Sequence, residues 1–191
     1  LDFDLFGNSR TRIRVLNNEL FAQSGNQPIE MDVLGNASVV GQITSNRLER
    51  ARNSGAEVGL DIFPEDNSFV SLRILNNTII VPDSNDVVDI NLEDNSVGRF
   101  LFAGNRFIGN SSDPDSTEID IDSDDNSTLG IRFANNSLSG TEINFDEEGA
   151  STFILENTIG TNTISDGASL DDIDPDIFPL VRSGFLGFQT P

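Results

Sequence analysis

The stretch Leu60–Asn77, LDIFPEDNSFVSLRILNN, decides the fold, because the chain carries it three times in related form. The same pattern stands at Leu1–Asn18 as LDFDLFGNSRTRIRVLNN and at Ile119–Asn136 as IDIDSDDNSTLGIRFANN, so that the copies follow one another at a constant interval. All three copies have the same features at the same places: an aliphatic residue followed by Asp, a central Asn-Ser, an Arg and a closing Asn. A tandem repeat of strand-like units predicts a solenoid.

Each unit divides into two unequal coils of about 28 and 31 residues, a length typical of solenoid repeats, and Asn marks the ends of their alternating stretches. Ile29, Met31 and Val33 alternate with Glu30 and Asp32, and this period of two predicts strands with one buried face. A second alternating stretch and a shorter third one follow in each coil, with turn-forming residues between them. We therefore predict an all-β fold, a right-handed parallel β-helix of five to six coils.

The repeat also suggests the domain boundaries. We predict the β-helix over residues 1–160, as units 1–59, 60–118 and 119–160, and a C-terminal cap or docking tail over residues 161–191. The open end of such a solenoid exposes strand edges that need cover. A β-sandwich would show hairpin turns and irregular spacing, and a leucine-rich repeat would need shorter units with a helical side. Because the sequence starts inside a strand pattern, we expect a piece of a longer protein.

Composition excludes several classes of function. The net charge is -21, with 32 acidic residues against 11 basic ones, all of them Arg, which disfavours nucleic acid and anionic membranes as partners. The chain has no Cys and no His, so disulfides, thiolate metal sites and the commonest general base are absent. No apolar run approaches the roughly 18 residues of a membrane span.

An Asn closes the second alternating stretch of every coil. These predicted corner residues are Asn18, Asn46, Asn77, Asn105, Asn136 and Asn157. Asn tolerates the left-handed conformation that a sharp corner requires, and Asn side chains stacked coil upon coil can form a hydrogen-bonded ladder. We interpret the six as structural, and a ligand-binding role is the alternative.

The same corners carry a family resemblance. The motifs Phe102-Ala-Gly-Asn105 and Phe133-Ala-Asn-Asn136, with Val15-Leu-Asn-Asn18 and Ile74-Leu-Asn-Asn77, resemble the repeats of pectate-lyase-like parallel β-helices and of surface adhesins and autotransporter passengers. The resemblance covers roughly residues 1–160. It implies a surface β-helix that acts as an adhesin or a stalk.

A carboxylate recurs at one outward position in each coil. This predicted acidic ladder consists of Asp2, Glu30, Asp61, Asp89, Asp120 and Glu142. Neighbouring coils lie about 4.8 Å apart, and like charges at that distance repel by roughly 1 kcal/mol in water. Ca²⁺ could relieve the repulsion, and the densest candidate ligands are Asp120, Asp122 and Asp124. A solvated face that discourages aggregation is the alternative, and no other cofactor is predicted.

A sparser basic row accompanies the acidic one. Arg14, Arg73 and Arg132 recur once per repeat unit, which places them about 9.6 Å apart on an outward face. The row predicts surface salt bridges, with recognition across an interface as the alternative.

These patterns favour a non-enzymatic structural or adhesive module of a secreted or cell-surface protein or filament. The expected partners are further copies of the chain, joined end to end or laterally, or a cell-surface or glycan ligand. The alternative is a β-helix that binds or degrades polysaccharide. Acid–base hydrolysis needs two carboxyl groups with separated pKa values, whereas the Asp residues here form regular rows without the break in the repeat that we expect of an active site.

Overall fold

The computed structural model describes residues 1–23, 27–51, 58–82, 86–110, 118–156 and 161–165, together with the backbone of two short strands at 172–173 and 178–180. The predicted fold class is confirmed. The chain is an all-β parallel solenoid of about five turns, built from three stacked sheets.

Each coil contributes up to three strands. The first three coils hold β1 (Asp2–Leu5), β2 (Arg10–Leu16), β3 (Glu19–Ala22), β4 (Ile29–Val33), β5 (Ser38–Thr44), β6 (Arg47–Arg50), β7 (Leu60–Pro64), β8 (Phe69–Leu75) and β9 (Thr78–Ile80). The following coils hold β10 (Val88–Leu92), β11 (Val97–Ala103), β12 (Arg106–Ile108), β13 (Glu118–Ser123), β14 (Thr128–Ala134), β15 (Ser137–Ser139), β16 (Glu142–Glu147), β17 (Thr152–Glu156), β18 (Thr163–Ser165), β19 (Asp172–Ile173) and β20 (Phe178–Leu180).

Corresponding strands of successive coils pair in parallel and form the three sheets. Sheet A has the order β1-β4-β7-β10-β13-β16-β19, sheet B has β2-β5-β8-β11-β14-β17-β20, and sheet C has β3-β6-β9-β12-β15-β18. In sheet A, Asp61 lies opposite Asp89, and Asp89 lies opposite Asp120. The corner Asn residues of these same coils are 28 and 31 residues apart in turn. The register therefore follows the two coil lengths that the sequence pattern predicts.

The alternating apolar residues form one continuous core between the sheets. Ile62 of sheet A, Leu72 of sheet B and Ile79 of sheet C are all fully buried, so each coil closes around its own aliphatic layer. In the later coils the core becomes aromatic, and the rings of Phe107 and Phe133 stack at 5.7 Å. Burial of this apolar surface is the main force that holds the coils together.

Both corners between strands depend on left-handed backbone, but the residue involved differs from the prediction. At the second corner the positive φ belongs to the residue before the recurring Asn, for example Asn76 with φ 54° rather than Asn77. At the first corner Asp66 and Asp94 take the same conformation. Gly, Asn and Asp are the residues that adopt this conformation at least cost. The recurring Asn that follows is therefore not needed for the backbone turn, and its side chain can form hydrogen bonds.

One residue of the predicted acidic ladder was assigned wrongly, in the coil that begins with β16. Glu142 lies opposite Glu118, whereas Asn144 lies opposite Asp120. The cause is a shortened coil, since Asn144 follows Asp120 by only 24 residues. Strand pairing also continues beyond the predicted boundary at residue 160, because β18 pairs with β15. Most of the predicted tail, residues 161–191, lies outside the described residues.

Candidate functional site

The Asn residues that recur at the end of the second strand of each coil form a buried ladder along the corner between sheets B and C. The backbone N of Asn46 donates to Oδ1 of Asn77 at 2.9 Å, and Nδ2 of Asn46 donates to the same oxygen at 3.0 Å. Nδ2 also donates to the backbone O of Val15 at 2.9 Å. Each amide thus joins three successive coils, and Asn105 and Asn136 repeat the arrangement.

The ladder ends on a residue that the sequence pattern did not identify. Asn162 accepts two hydrogen bonds from Asn136 through its Oδ1, from the backbone N at 2.8 Å and from Nδ2 at 3.1 Å. The predicted corner residue Asn157 lies outside the described residues. Thr161 supports the ladder end, since its hydroxyl accepts a hydrogen bond from the backbone N of Asn135.

The side-chain amides of the ladder residues are engaged in these hydrogen bonds. Asn46, Asn77, Asn105 and Asn136 are only 1–3 % exposed, and their side-chain oxygens each accept two hydrogen bonds from the preceding coil. Asn18, in the first coil, is exposed and donates to Asn46. The geometry therefore supports a structural role for the ladder and leaves its four buried side chains inaccessible to a ligand.

The acidic ladder lies on the outer surface of sheet A. The register brings Asp2, Glu30, Asp61, Asp89 and Asp120 into one row, which continues to Asn144. Two of the members have amide neighbours. Gln27 donates to Asp61 at 3.2 Å, and Asn144 donates to Asp120 at 2.9 Å.

A shallow groove of about 390 Å³ runs along the middle of this face. Its lining comprises Asp32, Asp61, Phe63, Asp89, Asn91, Asp120 and Asp122. Burial, together with the charges of Asp89, Glu30 and Asp32, raises the pKa of Asp61 to about 7. Burial and the charges of neighbouring aspartates, Asp120 first among them, raise the pKa of Asp122 to about 8. The carboxyl groups of Asp61 and Asp122 therefore resist ionisation.

Asp122, the groove residue whose pKa is raised to about 8, has Asn91 as its neighbour on the adjacent strand. The two residues are register partners on β13 and β10. The Oδ1 atoms of both are shielded from solvent and have no hydrogen-bond partner among the described groups. Because two acceptor oxygens cannot satisfy one another, a proton on Asp122 would supply the missing donor. At neutral pH we therefore expect Asp122 to carry a proton.

The candidate calcium ligands lie along the same face. Asp120 and Asp122 are outward residues of β13, and Asp124 follows the end of that strand. Burial is the main cause that raises the pKa of Asp120 and of Asp124. Among the described residues, no group of three or more Asp or Glu side chains is arranged so that it could hold a metal ion. The three aspartates form a line rather than a cage.

The basic row lies on the outer surface of sheet B. Arg14 and Arg73 flank Gln42, and Arg73 and Arg132 flank Leu101, so an Arg stands in every second coil. Nε of Arg132 lies 3.7 Å from Oε2 of Glu156. Phe69, on the same face, has the guanidinium of Arg99 5.6 Å from the centre of its ring.

A buried serine row at the corner between sheets A and B is a feature that sequence reasoning missed. Ser68, Ser96 and Ser127 are at most 1 % exposed. The hydroxyls of Ser68 and Ser96 have no hydrogen-bond partner among the described groups, whereas that of Ser127 bonds Ser123 at 2.7 Å. The Asn-Ser pair that recurs in all three copies was the available signal.

Comparison of the chain with known proteins gives no matching family model, no matching curated protein and no matching solved structure. In the part of the chain that the structure describes, no helix has the length and apolar character needed to cross a membrane.

Proposed function

We propose that the chain is a non-enzymatic structural or adhesive module of a secreted or cell-surface protein, in which the stacked coils act as a stiff spacer. The observation that carries the proposal is the Asn ladder, which runs without a break from Asn18 to Asn162. A feature that every described coil repeats is suited to a function of the whole solenoid, such as stiffness, rather than to a function of a single site. The resemblance to adhesin and pectate-lyase-like β-helices supports the same role.

The polar groups of the outer faces support this proposal as well. Asp61, whose pKa is raised, belongs to a row of carboxyl groups that continues from coil to coil, and Asp122 lies in the neighbouring row between Asn91 and Asp146. Burial and mutual repulsion in such a row account for the raised pKa values without any catalytic task. An active site would instead require a pair of carboxyl groups set apart from the repeat by their surroundings.

Mechanical unfolding of single molecules tests the spacer role. When the chain is pulled from its two ends, we expect resistance in steps, because each coil that detaches breaks a whole set of strand pairings. One coil should release about 100 Å of extended chain. Featureless extension at low force would contradict a load-bearing role.

The enzyme alternative is tested separately by product analysis. Incubation with neutral and acidic polysaccharides should yield no new reducing ends and no unsaturated sugars. Turnover that disappears in both Asp61→Asn and Asp122→Asn would instead assign the groove a catalytic function.

We also propose that the acidic face attracts divalent cations, and Ca²⁺ first among them. The outward positions of the sheet A strands β1, β4, β7, β10, β13 and β16 hold no Arg, and bound cations would reduce the repulsion among the carboxylates there. At pH 8 and low ionic strength, millimolar Ca²⁺ should raise the melting temperature more than NaCl of equal ionic strength. Equal effects of the two salts would count against the cation proposal.

A further inference from the structure

The two large outer faces of the solenoid carry opposite charge. The outward positions of the sheet A strands β1, β4, β7, β10, β13 and β16 hold eleven Asp or Glu side chains and no Arg. They are Asp2, Asp4, Glu30, Asp32, Asp61, Asp89, Glu118, Asp120, Asp122, Glu142 and Asp146. The outward positions of the described sheet B strands hold six Arg and one Glu. They are Arg10, Arg12, Arg14, Arg73, Arg99, Arg132 and Glu156.

Sheet C differs from both, because its charges neutralise each other locally. Arg47 lies 3.8 Å from Glu19 and also pairs with Glu49. Sheets A and B instead each keep a large excess of one sign of charge, although Arg132 on sheet B lies near Glu156. A chain with net charge -21 that still concentrates arginines on one sheet has a segregated surface rather than a uniformly acidic one.

The spacing of the two charge patterns is also compatible. Both faces are built by the same coils, so rows on either face advance by about 4.8 Å per coil. Carboxylates occupy every coil of the sheet A row from Asp2 to Asp120. Arginines occupy every second coil of the sheet B row, with Arg99 displaced into the coil between Arg73 and Arg132. With parallel axes, each Arg can therefore face a carboxylate.

Each face also presents an apolar side chain among its charges. Phe63 lies outward on sheet A beside Asp32, and Leu101 lies outward on sheet B between Arg73 and Arg132. Val40 on sheet B is 37 % exposed. Apolar contacts of this kind form the centre of protein interfaces, while charged pairs set their orientation.

We propose that copies of this chain associate side by side, with sheet A of one copy against sheet B of the next. The proposal rests on the structural role proposed above and names the interface for it. Because the two contact surfaces differ, the interface is heterologous, and repetition builds an open row of molecules instead of a closed dimer. Repulsion between the net negative charges is screened beyond about 8 Å at physiological ionic strength, whereas the facing pairs lie closer than that.

A charge-swap experiment tests the interface by sedimentation at about 0.15 M salt. Variant X carries Arg73→Glu and Arg99→Glu on sheet B, and variant Y carries Asp61→Lys and Asp89→Lys on sheet A. We expect the wild type to associate with rising concentration, and X or Y alone to associate at least about tenfold more weakly. An equimolar mixture of X and Y should recover association, because each altered face then meets one of opposite charge.

One matched control and one replacement variant keep the result interpretable. Arg47→Glu with Arg106→Glu makes the same charge change as X, but on sheet C, where the two arginines are exposed, and it should associate like the wild type. If X does not give the wild-type circular dichroism spectrum, Arg12→Glu with Arg14→Glu replaces it, since both side chains are exposed.

The outcomes separate this interface from the structural role. A wild type that stays monomeric at about 1 mM, the concentration that corresponds to very weak affinity, would overturn the lateral interface. The lateral interface would also be overturned if X and Y each associated as strongly as the wild type. Stepwise resistance to mechanical unfolding in either case would leave the spacer role standing.

Discussion

Oδ1 of Asn105 accepts two hydrogen bonds from Asn77, one from the backbone N at 2.9 Å and one from Nδ2 at 3.1 Å. Nδ2 of Asn77 also donates to the backbone O of Ile43 in the opposite direction along the axis, at 2.9 Å. The buried side chain of Asn77 thus satisfies two backbone groups of the preceding coil, the N–H of Asn46 and the C=O of Ile43, and donates to the side chain of Asn105 in the following coil. Because buried polar groups are costly when unpaired, this ladder couples the stability of each coil to the next.

Replacement of a ladder amide should be strongly destabilising. Asn77→Ala removes the acceptor of two donors on Asn46 and the donor to Ile43. We expect the free energy of unfolding to fall by about 3 kcal/mol, measured by chemical denaturation.

Asn67→Ala is the matched control, because Asn67 occupies the other corner of the same coil and is exposed. Its effect should stay within about 0.5 kcal/mol. Equal losses for the two variants would show that the ladder bonds contribute little.

Replacement of a residue in the serine row should change the free energy of unfolding in the opposite direction. Ser96 is fully buried and its hydroxyl has no hydrogen-bond partner among the described groups, so Ser96→Ala should leave stability unchanged or raise it by about 1 kcal/mol. Ala37, 1 % exposed, occupies the equivalent corner of an earlier coil. Ala37→Ser should therefore destabilise the chain by a similar amount in the same denaturation assay. A clear loss of stability in Ser96→Ala would mean that the hydroxyl has a partner in solution.

Stability should decrease as the pH rises. The folded-state pKa of Asp61 is about 7 and that of Asp122 about 8, both above the unfolded value near 4. The native state therefore binds more protons than the unfolded state between about pH 4 and pH 8, and ionisation across this range disfavours folding. Because solvent screens these partly exposed groups, we expect a total fall of about 2 kcal/mol.

Asp122→Asn isolates one contributor to this pH dependence. The amide keeps the shape of the side chain and cannot ionise, so the variant should be more stable than the wild type at pH 9 and should show a weaker dependence on pH. Asp4→Asn, on the exposed first strand of the same sheet, should follow the wild-type curve more closely. Identical pH profiles for wild type and Asp122→Asn would refute the proposed ionisation.

The repeat predicted most of the fold, because strands that stack in register must repeat the same inward and outward positions. It placed Asp61 opposite Asp89 and Arg73 two coils from Arg132, as observed. It failed where the coil length changes, since extrapolation at constant spacing assigned Glu142 to the ladder position that Asn144 occupies.

Details that depend on the path of the backbone could not be read from residue types alone. Asn76 and Asn77 look equivalent in sequence, yet the first adopts positive φ and the second forms the ladder. The raised pKa of Asp122 likewise depends on its burial and on the charges of Asp120, Asp124 and Asp146, which only the packing of adjacent coils reveals.

The central claim is that coils of this repeat are interchangeable units that set the length of a stiff module, and insertion of one extra unit tests it most directly. The chain has no native Cys, so Glu19→Cys and Ser137→Cys allow spin labelling at two outward sites of sheet C that lie four coils apart. Electron paramagnetic resonance should then give a narrow backbone separation of about 19 Å.

A second copy of residues 60–118 inserted before Ile119 should increase this separation to about 29 Å while the distribution stays narrow. That result would establish that the coils stack as repeated units of constant rise. A broad distribution, or an unchanged distance in the lengthened chain, would contradict the account.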